Sequence, residues 1–238
     1  MSLTEQQRSD TPRPRARRLL PAERRTQLLA CALRVFARRG LGEARHAEIA
    51  KEAGVAVPTV FFYFPTRGEL VNAVLDEVAR FYVELAEQVH GRALPAPQIL
   101  LQHARAFAES VDTHPDYARV WLDWSTAIRD EVWPRYLDFQ GHIVRILEKT
   151  IRRGQRKGTF AADVDPEDAA LLGFSAAHMV AQMKFLRRAP EKVERFMRAV
   201  VRSVLGGLPL DDAPHAGLAR LHSESSLARA EKPARHQA

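Results

Sequence analysis

The chain has 238 residues, is 46% hydrophobic, and sets 36 Lys+Arg against 29 Asp+Glu for a net charge of +7. One or two domains with a sizeable core are expected, and no window approaches the run of about 18 apolar residues that a membrane span needs. The single cysteine, Cys31, excludes an intrachain disulfide and a thiolate zinc cluster, and the opening MSLTEQQRSDTPRPRARR lacks the apolar stretch of a secretory signal, so a cytosolic protein is expected.

Charge is unevenly placed. Residues 1–70 hold 13 Lys+Arg and 7 Asp+Glu, so nearly all of the excess lies there. Nucleic acid, an acidic membrane surface and an acidic protein all fit such a footprint. Residues 1–20 are polar and rich in Arg and Pro, which predicts a disordered basic arm. From Pro21 the pattern is helical: Leu28, Leu29, Ala32, Leu33 and Phe36 share one stripe, and Gly40 is placed to end the helix. A short helix covers about His46 to Ala53.

The stretch AGVAVPTVFFYFP, residues 53–65, is strand-like by propensity, but Pro58 argues against a central strand. Ala50, Gly54 and Val60 have the spacing of a helix-turn-helix. Ala allows close approach of two helices, Gly supplies a left-handed turn, and Val60 tucks the second helix against the first. The aromatics then belong to a recognition helix, about Val57 to Phe64, ended by Pro65. Phe61, Phe62, Tyr63 and Phe64 are too many for one buried face, so some face inward and some face a partner.

A long helix runs from about Arg67 to His90, and further helices from about 97 to 113, 115 to 127 and 131 to 153, the last closed by Gly154 and Gly158. In DVDPEDAA, Asp165 is a cap, Pro166 the first helical residue, and the acids fill the first turn of a helix reaching about Arg187. The last helix starts at Pro190. The expected fold is all-α with about nine helices: a helix-turn-helix domain over 21–66, a helical ligand-binding and dimerisation domain over 67–207, and a disordered tail over 208–238.

Thr59 points outward if Val60 points inward, which suits a base edge or a thymine methyl. Tyr63 and Arg67 suit phosphate contacts, and Arg13, Arg15, Arg17 and Arg18 suit a flexible arm entering a minor groove. His46, Ala56, Val57, Pro58, Phe62 and Thr66 complete the candidate DNA-contacting set. A stripe of Val193, Phe196, Met197, Val200, Val201 and Val204, beside small residues Ala169, Ala176, Ala177 and Val180 with Leu172, is the expected dimer surface; packing within one subunit is the alternative.

IAKEAGVAVPTVFFYFPTRGELVNAVL resembles the N-terminal signature of the TetR family. RPRARRL, VFARRG, HAEIA, TVFFYFPTRGELV and VWLDWSTAIRDEVWP together resemble its LuxR/HapR/SmcR-type group, the quorum-sensing master regulators of vibrios. The resemblance spans about residues 13 to 205. It implies a homodimer that binds near-palindromic double-stranded DNA operators, with control by a small, largely apolar ligand. It also implies a pocket wall of Trp121, Tyr136 and Gln140, with Phe107 and Ala177 as further candidates; aromatics at such spacing also serve as plain core. Phe62 stands where that group is expected to carry Asn, which alters base reading. A repressor of an efflux or metabolic operon is the neighbouring alternative, and a nonspecific polyanion or membrane-surface binder is the alternative from another class.

No G-x-S-x-G, P-loop, dinucleotide fingerprint or H-E-x-x-H occurs. His103, His114, His142 and His178 sit at no ligand spacing, and Cys31 lies beside an apolar helix face as a core thiol. No enzyme, cofactor, metal or membrane partner is expected.

Overall fold

The computed structural model describes residues 19–128 and 131–206. The arm with Arg13, Arg15, Arg17 and Arg18 and the segment 208–238 lie outside the described residues. Nine helices follow in chain order: α1 Pro21–Arg39, α2 His46–Ala53, α3 Val57–Tyr63, α4 Arg67–His90, α5 Ala96–Thr113, α6 Pro115–Trp124, α7 Trp133–Arg156, α8 Pro166–Phe185 and α9 Pro190–Val204. The described residues contain no strand.

Local chemistry sets the helix ends. Thr66 Oγ1 accepts the Glu69 N–H at 3.1 Å to start α4. Asp165 Oδ1 accepts from the backbones of Glu167 and Asp168 at 2.8 and 2.9 Å to start α8. Gly54 has φ +65°, and nothing lies within 4 Å of where its Cβ would stand. Its role is therefore conformational: it turns the chain from α2 into α3. Gly154 departs from expectation. It does not close α7 but sits inside it, because a Cβ there would meet the Phe160 ring at 2.1 Å and Ala96 Cβ at 3.0 Å. The glycine marks a close approach between chain segments, and the helix runs through it.

The helices α1 to α3 form an N-terminal trio with Leu28, Phe36, Ile49, Ala50, Val60 and Phe64 buried between them. The later helices form a bundle, in which α5 packs on α4, α8 and α9, and α7 lies against α4 and α8. The two parts meet where α6 and α4 pack on α1. One residue is clamped there: Asp123 Oδ2 of α6 accepts the Leu41 N–H at 2.6 Å, while Arg67 at the start of α4 donates to the Leu41 carbonyl and, at 2.8 Å, to that of Gly42.

Much of the α9 stripe packs within its own chain. Val193, Met197 and Val204 are buried among the helices of the same chain, and Phe196, Val200 and Val201 line an internal cavity. Periodicity marks an apolar stripe without saying what covers it. Apolar surface is left uncovered along the outward side of α8 and at its C-cap, where Leu172, Met179 and Leu186 recur every seven residues at 48, 46 and 65% exposure.

Candidate functional site

The aromatic run in α3 divides by direction. Val60 and Phe64 are buried, Tyr63 is half-buried, and Phe62 is 78% exposed. Phe61 is partly exposed and stacks on His46, with ring centroids 4.1 Å apart. Arg25 places its guanidinium 5.2 Å from the Phe64 ring centroid. Ala56, Val57 and Pro58 are exposed and Thr59 is half-buried, so the start of α3 and Phe62 form one outward surface.

Three expected contact residues have other duties. The His46 ring is buried, and its Nε2–H donates to the Phe64 carbonyl at 2.8 Å, which fixes α2 against the end of α3. The Thr66 hydroxyl caps α4. Arg67 is exposed but its guanidinium holds the loop after α1, so it braces the trio whatever else it touches. These side chains sit at element boundaries, where polar groups are claimed by orphan backbone atoms.

Electrostatically, the trio's charge is partly spent inside it. Glu52 accepts from Arg34 at 2.9 Å and Arg38 at 2.8 Å, and Glu48 accepts from Arg39 at 2.8 Å. The hydrogen bonds from Arg34 and then Arg38 hold the Glu52 carboxyl below the usual range. Arg45, just before α2, and Lys51 on α2 are exposed and make no ion pair among the described residues.

The later helices enclose an apolar cavity of about 80 Å³. Phe107, Trp121 and Ala177 line it as expected. Tyr136 and Gln140 do not. On α7 the residues facing the cavity are Phe139, Ile143, Leu147 and Ile151, one per turn. Gln140 is one position around the helix from Phe139, and Tyr136 is turned to Trp133 and Trp124, with ring centroids 4.9 and 5.6 Å away. Burial lifts the Tyr136 hydroxyl to a pKa of about 12.

Two features carry no sequence signal of their own. Tyr82 is among the lining residues and 95% hidden; burial pushes its hydroxyl well above the usual range, and the Ser110 side chain is its hydrogen-bonding neighbour. His90 on α4 and His103 on α5 meet with Nε2 and Nδ1 3.0 Å apart, and His90 Nδ1 lies 2.7 Å from Thr150 Oγ1 on α7. Burial pushes His103 down to about 4. Burial, then His103 and the Arg153 charge, push His90 down to about 3. Both imidazoles are therefore neutral at pH 7. Among the described residues no group of three or more His, Cys, Asp or Glu is placed to hold a metal ion, and no helix is long and apolar enough to cross a membrane.

Comparison with known proteins agrees with this architecture. Residues 28–74 match the family described as "Bacterial regulatory proteins, tetR family". The chain is 32% identical over 203 residues to the HTH-type transcriptional regulator LuxR of Vibrio harveyi, covering 85% of this chain and 97% of that one. It is 28% identical over 163 residues to the HTH-type transcriptional regulator TtgR of Pseudomonas putida, covering 64% of this chain and 76% of the relative. In fold it is similar to the transcriptional regulator FadR of Bacillus subtilis, solved in complex with stearoyl-CoA, with a TM-score of 0.66 at 18% identity over 77% of this chain and 99% of that one. A helix-turn-helix trio joined to a helical bundle, with a near full-length LuxR relative, identifies the chain as a member of the TetR family and a DNA-binding transcriptional regulator of LuxR-like type.

Proposed function

We infer that the protein acts as a homodimer on near-palindromic operators, with α3 of each subunit in successive major grooves. The observation that carries this reading is Phe62. A phenylalanine 78% exposed on a short helix, meeting the Tyr63 ring edge-on with centroids 5.1 Å apart, is mostly left to solvent by its own chain, and an apolar side chain in the major groove meets the thymine methyl. Thr59, Tyr63 and the exposed start of α3 lie around it, with Arg45 and Lys51 beside them for phosphates. The arm arginines reach the neighbouring minor groove. The protein works in the cytoplasm, where the operator is, and regulates without catalysis.

The dimer forms through the outward face of α8. Its Leu172, Met179 and Leu186 stripe is continued by a groove between the end of α8 and α9 that includes Met183, Phe196 and Ala199. A helix apolar on two faces is one meant to be covered on both. The cavity holds a small apolar effector, a reading supported by a relative in fold crystallised with an acyl thioester. Trp121 touches the cavity and Asp123, two residues on, holds the loop after α1. Helix α6 is thus one mechanical link from effector to DNA.

The test is selection of sites from random duplex DNA at two salt concentrations, with the wild type and Phe62→Ala. A palindromic motif whose preference changes in the variant supports the reading. Binding without a motif, lost as salt rises, refutes it in favour of a nonspecific polyanion binder.

A further inference from the structure

Side chains that tell base pairs apart in the major groove do so mostly with hydrogen bonds: Arg or Lys on guanine, Asn or Gln on adenine, Asp or Glu on cytosine. From Gly54 to Phe64 this chain has none of these residues. The surface that α3 and its N-cap turn outward is Ala56, Val57, Pro58 and Phe62, flanked by Phe61 at 46% exposure. Its polar side-chain atoms are the hydroxyls of Thr59 and Tyr63, both half-buried residues, and a hydroxyl bonds donors and acceptors alike. Hydrogen bonds from α3 therefore discriminate poorly among the four base pairs. What such a surface can recognise in the major groove is the thymine 5-methyl group.

The two exposed rings are oriented by their own chain. Phe61 lies flat on the His46 ring, with centroids 4.1 Å and planes 2° apart, and His46 is fixed in turn by its bond to the Phe64 carbonyl. Phe62 stands edge-on to Tyr63, with their planes at 86°. A side chain already held in place loses less rotamer freedom on contact, so more of its apolar gain survives in binding. The cations lie elsewhere: Arg45 precedes α2, Lys51 is on α2, and Arg67 at the start of α4 holds the Leu41 and Gly42 carbonyls. The first helix of a helix-turn-helix crosses the DNA backbone, which places Arg45 and Lys51 at phosphates.

We propose, resting on the operator reading above, that each half-site is recognised through the 5-methyl groups of thymines packed against Phe62, with Val57 and Phe61 at the margins, and not through hydrogen bonds from α3 to base edges. Uracil lacks that methyl and binds less well. 5-Methylcytosine carries a methyl at the same place and binds better than cytosine. The rival base reader is Lys51, an exposed cation that would contact guanine O6 and N7 if α2 entered the groove.

The experiment uses the full chain and the palindromic site selected from random duplex DNA. That site is remade with uracil for each thymine in turn, with cytosine or 5-methylcytosine at the same positions, and with 7-deazapurines, which lack the N7 acceptor; Kd is read by fluorescence anisotropy. Uracil at a contacted thymine weakens binding about fourfold, the worth of one methyl-sized apolar group, 5-methylcytosine regains about as much over cytosine, and the 7-deazapurine sites stay within about twofold. In Phe62→Ala the uracil penalty vanishes, a coupling that a merely structural role for the ring does not produce. The arm does not blur the result, because the methyl lies in the major groove and the minor-groove edges of thymine and uracil are alike. Equal binding of thymine and uracil sites overturns the proposal, and so does a uracil penalty unchanged in Phe62→Ala. A loss of roughly tenfold with 7-deazaguanine that disappears in Lys51→Ala overturns it in favour of hydrogen-bonded reading by α2. A motif indifferent to uracil sinks this inference alone, whereas selection that yields no motif sinks the operator reading and this inference with it.

Discussion

Asp123→Ala removes the acceptor of the Leu41 N–H, a contact of 2.6 Å that joins the bundle to the trio. Leu41 is 8% exposed, so water replaces that acceptor poorly. A hydrogen bond to a charged group contributes about 1.5–3 kcal/mol. Asp123 is itself exposed, which puts the expected loss at the lower end, about 1.5 kcal/mol. For a chain of this size that lowers Tm by about 3–6 °C. Asp123→Asn keeps an acceptor without the charge and loses about half as much. Arg67 holds the carbonyl of the same residue, so Asp123→Ala and Arg67→Ala should couple by more than about 0.5 kcal/mol in a double-mutant cycle. The assay is urea unfolding by circular dichroism at one fixed protein concentration, which holds any dimerisation constant. Both Asp123 variants within about 0.5 kcal/mol of wild type, with additive Arg67→Ala, would refute the clamp.

Three further predictions follow from other parts of the molecule. His90 and His103 stay neutral when folded, at about 3 and 4, whereas the unfolded chain protonates them near pH 6.5. The unfolded state binds more protons in that window, so stability falls as pH drops from about 6.5 toward 4, by up to about 1.4 kcal/mol per pH unit for each ring; His103→Gln should flatten the slope in pH-dependent urea titrations. Gly154→Ala drives a methyl into the Phe160 ring and should cost about 1–3 kcal/mol, partly recovered by adding Phe160→Leu in thermal melts. Arg187 sits at φ +50° just after α8, with its N–H on Lys184 and the Arg188 N–H on the Met183 carbonyl, a helix end that favours glycine. Arg187→Gly should therefore raise stability by about 0.5–1 kcal/mol, and a drop in Tm would show that the arginine has another task.

The parts legible in the sequence were those that a few neighbouring residues decide. Asp165 and Pro166 start α8 where the caps and acids predict. Ala50, Gly54 and Val60 form the turn their spacing implies, with Ala50 and Val60 buried and Gly54 left-handed. What stayed hidden depends on which helix lies opposite. Gly154 looked like a helix end because its reason, the Phe160 ring, is tertiary. The α9 stripe fits a subunit interface and a cavity wall equally well by periodicity. Tyr136 lies on the same side of α7 as the lining residues but one turn before them, against Trp133 and Trp124, whereas Gln140 is one position, about 100°, around the helix from Phe139. His90 and His103 are thirteen residues apart on different helices, so no spacing rule could pair them. His46, placed at the DNA by its position, is a buried brace because Phe64 offers it a carbonyl.

The outward stripe of α8 also bears on gene dosage. A lone subunit would carry Leu172, Met179 and Leu186 bare in water, an arrangement that favours pairing over solitude. While single subunits predominate, the concentration of proposed pairs grows as the square of the amount of chain made. A doubling of synthesis would then give about four times as many operator-competent molecules, so a promoter under this regulator would answer to a threshold in protein level before any effector arrives.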